Sequence, residues 1–209
     1  KSQKTLQKVS FDNKKLNNKE TVASLKRIID NVIAARKNKN YTLEKYDEDI
    51  FKKYRDMKNL DYTGLDAKKV EKVVKELSQL LADFQVYYAN LRGFHWNVKG
   101  DKFYQLHEYY EGQYNDAAAK VDEVAERLLQ LDARPENRFS EYLKQSQLKE
   151  AGFEAEKMEG LKYILDTLKV IIAQERRVLA AAQEAEDEVT VALMDDYLTG
   201  QETVSYTHL

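Results

Sequence analysis

The sequence predicts an all-α protein: a four-helix bundle with a short helix in the connection between helices 2 and 3, preceded by a basic N-terminal extension. Three observations carry this expectation. Of 209 residues, one is Pro and seven are Gly, so the turns that an all-β chain needs lack their usual residues. Charged residues make up 33% and apolar residues 43%, a balance that suits helices with one apolar face each. From residue 66 onward, apolar residues recur at spacings of three and four over long stretches.

Composition also removes whole classes of chemistry. The chain has no Cys, which excludes disulfides, thiolate nucleophiles and Cys-ligated zinc or iron–sulfur clusters. No apolar run approaches the roughly 20 residues that span a bilayer, so no membrane partner is expected. The net charge of −2 hides an asymmetry. Residues 1–56 hold fifteen Lys/Arg against eight Asp/Glu, a net of +7, which leaves residues 57–209 with nineteen against twenty-eight, a net of −9. A basic arm can meet phosphate backbones, whereas an acidic body attracts cations.

Taken in order, residues 1–19 are Lys- and Asn-rich and read as disordered. Thr21 to Lys37 places Val22, Leu25, Ile28, Ile29, Val32 and Ile33 on one helical face, with Thr21 as N-cap. Residues 1–56 are thus a basic, partly helical or disordered extension. Strong periodicity begins after Met57, and the bundle is expected over 57–202. Asp66 can cap a first helix to about Val98, with Val70, Val73, Val74, Leu77, Leu80, Leu81, Phe84, Tyr87, Tyr88, Leu91 and Phe94 as its buried stripe. Gly100 can end it and Asp101 can cap the second helix, Lys102 to Leu131. Pro135 marks a loop, Ser140–Ser146 a short helix, and 154–185 the third long helix. Val189–Leu198 begins a fourth that is expected to stop at Gly200, leaving 203–209 as an atypical tail. The long connection between helices 2 and 3 suits an up-down-down-up bundle.

Chemistry concentrates on the second helix. His107 and Glu111 are i,i+4, as are Asp122 and Glu126, and the four lie within about a quadrant of one helix side. Such a stripe beside buried leucines and valines is costly unless something compensates for burial. Iron and other divalent cations do so, and imidazole with carboxylate suits them. One helix cannot close the site, because Glu111 and Asp122 stand roughly 16 Å apart along the axis. Two copies packed antiparallel about a two-fold axis near residues 116–117 would bring one pair against the other. Gly112 and Ala117 to Ala119 supply small residues there. The spacing therefore predicts an isologous dimer with two metal sites at its interface. A Glu-x-x-His pair within one chain is absent, because Arg92 and Tyr104 stand three residues before His95 and His107.

Phe-His-Trp-Asn-Val-Lys-Gly at 94–100, Leu-His-Glu at 106–108, Asp-Glu-Val-Ala-Glu-Arg-Leu at 122–128 and Phe-Ser-Glu-Tyr-Leu at 139–143 resemble the Dps family of mini-ferritins. The resemblance covers about 60–200. It implies a ferritin-like bundle assembled as a hollow homo-dodecamer in the bacterial cytoplasm or nucleoid. It also implies a ferroxidase that oxidises Fe(II), preferentially with hydrogen peroxide, and stores ferric mineral. The family's ligands fall on His95, His107 and Glu111 of one chain and on Asp122 and Glu126 of its partner. Glu111 stands where the family often has Asp. Trp96 matches the Trp beside the iron site, and Asp187 and Asp195 are candidates for an entry pore. A competing reading is a nucleoid-associated protein that compacts DNA through its basic arm, with twelve arms per shell giving multivalent phosphate contacts.

Overall fold

The computed structural model describes residues 58–153 and 157–208, together with Asp30 from the first 57. The helix expected at 21–37 lies outside the described residues. The chain divides into two units, Lys1–Asp56 and Met57–Leu209, and every helix below lies in the second. They are α1 (Leu60–Thr63), α2 (Ala67–Asn97), α3 (Phe103–Gln130), α4 (Phe139–Gln145), α5 (Lys157–Ala185) and α6 (Glu188–His208). Among the described residues there is no strand, and no helix is long and apolar enough to cross a membrane.

α2 begins where Asp66 accepts hydrogen bonds from the backbone N–H of Lys68 and Lys69, at 2.8 and 3.1 Å. Its stripe of Val70, Val73, Leu77, Leu80, Leu81, Phe84, Leu91 and Phe94 is buried. Each such side chain contributes about 1.5–3 kcal/mol of burial free energy. Val74 and Tyr88, expected in the buried stripe, are only half-buried. Gly100, at φ +98°, carries the turn into α3. Asp101 does not cap α3: the N-cap is Lys102, without a side-chain hydrogen bond.

The bundle runs up-down-down-up. Lys69 and Lys72 at the start of α2 pair with Glu186, just past the end of α5, and Glu184 near that end, so α2 and α5 are antiparallel. Arg127 near the end of α3 meets Asp187 at the start of α6, while Glu123 accepts from Tyr197 further along α6, so those two are antiparallel as well. Buried polar side chains of α2 hold residues 146–151 of the long connection that follows α3. Asp83 accepts from Ser146 Oγ, Gln147 N and Gln147 Nε2, and Asn90 bonds the backbone of Lys149 and Ala151.

Two turns use the left-handed conformation without glycine. Asp132 and Glu186 both have φ near +58°. The N–H groups of the residues after them, Ala133 and Asp187, reach back to the carbonyls of Leu128 and Ala182. Asp132 also accepts from the backbone N–H of Asn59 and Leu60, which pins α1 to the end of α3.

The end of the chain corrects the sequence expectation. α6 does not stop at Gly200 but continues through His208. A glycine in a helix costs about 1 kcal/mol relative to Ala. Here Gln201 is anchored to Glu175 and Val204 packs on the core, which outweighs that cost.

Candidate metal centre

The end of α2 and the start of α3 meet through two imidazoles. His95 Nδ1 donates to the carbonyl of His107 at 2.9 Å, and His107 Nδ1 donates to the carbonyl of His95 at 2.9 Å. The rings stack with centroids 3.7 Å apart and planes 23° from parallel. A carbonyl can only accept, so each neutral ring carries its proton on Nδ1 and keeps the lone pair of Nε2. The carbonyl of His95 is free for this role because α2 ends at Asn97 and leaves its last carbonyls without helical partners. Reciprocal Nδ1–H···O=C bonds of this kind fix tautomer and ring orientation for metal ligation through Nε2.

Two further side chains pack on the pair, and sequence spacing did not single them out as site residues. Phe103 stacks on His107 at 4.8 Å and Tyr114 sets its ring against His95 at 5.3 Å. Arg92 lies over the rings of Tyr88 and Trp96 at 5.0 and 4.9 Å. Positions 103, 107 and 114 share one face of α3 by helical spacing, and that was the signal available. Trp96 itself is 66% exposed.

Glu111, Asp122 and Glu126 project from α3 into solvent within one chain. The sequence expectation of a costly buried stripe thus holds only in part: the two imidazoles are half-buried, and the carboxylates would lose water only if another surface covered them. Among the described residues of one chain, no three His, Asp or Glu side chains gather to hold an ion. Glu111 and Asp122 are separated by roughly 16 Å of helix. Of the small residues expected at the two-fold axis, Ala117 is buried in its own bundle, whereas Gly112 and Ala119 are exposed. A Cβ added at Gly112 would meet nothing within 4 Å. A cavity of about 390 Å³ lined by Arg134, Pro135, Glu136, Asn137 and Arg138 contains none of the five candidate ligands.

The expected pore residues separate. Asp195 is exposed on α6. Asp187 is 1% exposed and caps α6, accepting from Arg127 Nη2 at 2.6 Å, from Thr190 N at 3.1 Å and from Thr190 Oγ1 at 2.6 Å. Within one chain the Asp187 carboxylate is thus committed to a buried guanidinium and a helix N-terminus, whereas that of Asp195 is free to meet solvent.

A donor set of two Nε2 lone pairs and carboxylates suits a divalent transition metal, with imidazole and oxygen ligands compatible with iron. The family profile of the ferritin-like domain matches residues 74–206. The DNA protection during starvation protein of Porphyromonas gingivalis is 57% identical over 145 residues, covering 69% of this chain and 91% of that protein. DNA protection during starvation protein 2 of Bacillus anthracis is 34% identical over 125 residues, covering 59% and 85%. Among solved structures, the Dps protein of Vibrio cholerae O1 superposes with a TM-score of 0.68 at 40% identity, covering 69% of this chain and 91% of that one. It is described as a member of a broad superfamily of ferritin-like diiron-carboxylate proteins. Dps from Staphylococcus aureus gives a TM-score of 0.63 at 33% identity, covering 66% and 93%.

Proposed function

The chain belongs to the Dps branch of the ferritin-like family, and from that premise we propose that it is a ferroxidase and iron-storage protein. Its substrates are Fe(II) and hydrogen peroxide, and its product is a ferric mineral held inside a hollow homo-dodecamer in the bacterial cytoplasm. The observation that carries this reading is the reciprocal imidazole–carbonyl pair of His95 and His107. It commits both Nδ1 protons to backbone and leaves two Nε2 lone pairs as ligands.

His95, His107 and Glu111 form one half of the site, and Asp122 and Glu126 of a second copy form the other. Fe(II) is bound there as substrate, and carboxylates around it stabilise Fe(III) more than Fe(II) because the attraction grows with ion charge. Two Fe(II) give up one electron each, and peroxide takes both electrons and two protons to leave as two waters. No hydroxyl radical is released when both electrons arrive together. Trp96, beside His95, supplies an oxidisable ring for a stray radical. The net charge of −9 over residues 57–209 draws cations toward the shell.

Protection of DNA, which the relatives carry in their names, follows from removing Fe(II) and peroxide together. Compaction of DNA by residues 1–56 is the second reading, and the +7 charge of that arm favours it. The test is anaerobic Fe(II) titrated with peroxide on the full chain, followed by ferric absorbance and a hydroxyl-radical spin trap. Rapid ferric formation at two Fe(II) per peroxide without trapped radical is expected. Oxidation no faster than in buffer would overturn the reading.

A further inference from the structure

Away from the metal centre, α5 and α6 meet through a buried polar contact that the proposed chemistry does not use. Glu175 of α5 is 0% exposed and Gln201 of α6 is 5% exposed. Gln201 Nε2 donates to Glu175 Oε1 at 2.6 Å. The remaining oxygen of each side chain, Glu175 Oε2 and Gln201 Oε1, is buried without a hydrogen-bond partner. With Glu175 ionised, both of those oxygens are acceptors only, and each would carry its own desolvation cost.

One proton removes both defects. On Oε2 it turns the carboxylate into a donor for the amide oxygen, and the acid and amide then close a cyclic pair with two hydrogen bonds. Turning the amide over gives the same answer: its oxygen would then lie against Glu175 Oε1, and only a protonated acid could donate to it.

The surroundings favour the neutral acid. Burial is the largest influence and pushes Glu175 up to about 8, against an ordinary value of 4.5; the Gln201 hydrogen bond, Lys120 and Arg176 pull it down, and Asp116 pushes it up. Asp116 and Lys120 come from α3 and pair with each other. Arg176 is the neighbour on α5, Tyr197 faces it from α6, and Tyr87 of α2 lies near the same Asp116 carboxylate.

We propose that Glu175 and Gln201 form a proton-dependent latch, in which the neutral acid–amide pair holds the C-terminal turns of α6 against α5 and loss of the proton releases them. The position of the pair suits this role. Gln201 sits just past Gly200, where the helix is intrinsically weak, and Val204 is the next side chain toward the C-terminus that packs on the core. Because the folded value of Glu175 lies above 4.5, stabilisation by the latch is full below about 4.5, shrinks as pH rises, and is gone above about 8. The inference rests on the bundle alone and does not depend on iron.

The experiment is hydrogen exchange of backbone amides 199–204 in the full chain from pH 5 to 9, with protection factors corrected for intrinsic exchange. In the native chain protection should fall by up to about tenfold per pH unit toward pH 8. In Glu175→Gln, whose amide keeps both hydrogen bonds and cannot titrate, it should stay level. Equal pH slopes in the two proteins would overturn the latch. A second measurement does not need the variant to fold: carboxyl-carbon NMR of the full chain labelled at Glu. One glutamate titrating near pH 8 is expected, and a set that titrates wholly below pH 6 would overturn the proposal.

Discussion

Replacing Asp187 with Ala tests the buried junction between α3 and α6. The side chains of Arg127 and Asp187 are 8% and 1% exposed and meet at 2.6 Å. Arg127 Nε also donates to Thr190 Oγ1 at 2.8 Å, and that hydroxyl donates in turn to Asp187. Removing the carboxylate strands a guanidinium in the interior, which costs about 3–5 kcal/mol, and removes the cap of α6, worth about 1 kcal/mol. The two effects share atoms, so their combined cost is about 4–5 kcal/mol rather than their full sum. Against a domain stability of about 5–15 kcal/mol this is a large fraction. At about 2–4 °C per kcal/mol for a chain of this size, the melting temperature should fall by roughly 8–20 °C. The assay is thermal unfolding followed by circular dichroism at fixed chain concentration. Asp187→Asn, which keeps an acceptor for Thr190, should lose less. Arg127→Met with Asp187→Leu, which removes both charges, should recover part of the loss. A fall of under 3 °C in Asp187→Ala, or a double variant worse than the single one, would refute the assignment of an uncompensated buried charge.

Asp83→Ala should free the 146–153 segment from α2, because Asp83 accepts three hydrogen bonds from Ser146 and Gln147; faster limited proteolysis within that segment is the readout, at a cost of about 2–3 kcal/mol. Deleting residues 1–56 removes a net +7 and leaves −9, so duplex DNA binding near physiological salt should disappear in a gel-shift assay while peroxide-driven Fe(II) oxidation persists. Phe103→Ala should disturb the stack on His107 and slow Fe(II) oxidation severalfold with little change in particle mass, measured by stopped-flow absorbance and light scattering.

Much of the fold was legible because α2 and α3 carry unbroken periodicity and short, marked ends. Asp66 before Val70 and Val73 announced α2, and Gly100 announced the turn. The helix face shared by the proposed ligands was legible for the same reason: His107, Glu111, Asp122 and Glu126 fall on it through spacing alone. What stayed hidden depends on neighbours far away in sequence. Asp132 and Glu186 take left-handed backbone where glycine is usual, and their capping bonds to Leu128 and Ala182 arise only once those helices end. In the run Glu184-Ala-Glu-Asp-Glu188, nothing local distinguishes the buried acid from the solvated ones; Arg127, sixty residues earlier, selects Asp187. The stop at Gly200 failed because local glycine content was weighed without the anchor that Glu175 provides. The exchange of hydrogen bonds between His95 and His107 likewise needed α2 and α3 in register, which composition does not encode.

The central claim is that each iron site is built from two chains, and mixing two defective variants tests it most directly. One variant carries His95→Ala and His107→Ala, and the other carries Asp122→Ala and Glu126→Ala. Each alone lacks one half of every site and should oxidise Fe(II) with peroxide no faster than buffer. Mixed, dissociated and reassembled, they form heterodimers in which one of the two sites has every native ligand, and oxidation should return to roughly a quarter of the native rate under random pairing. Restored oxidation at that level supports the shared site. Reassembled particles of native mass that oxidise no more than either parent would contradict it.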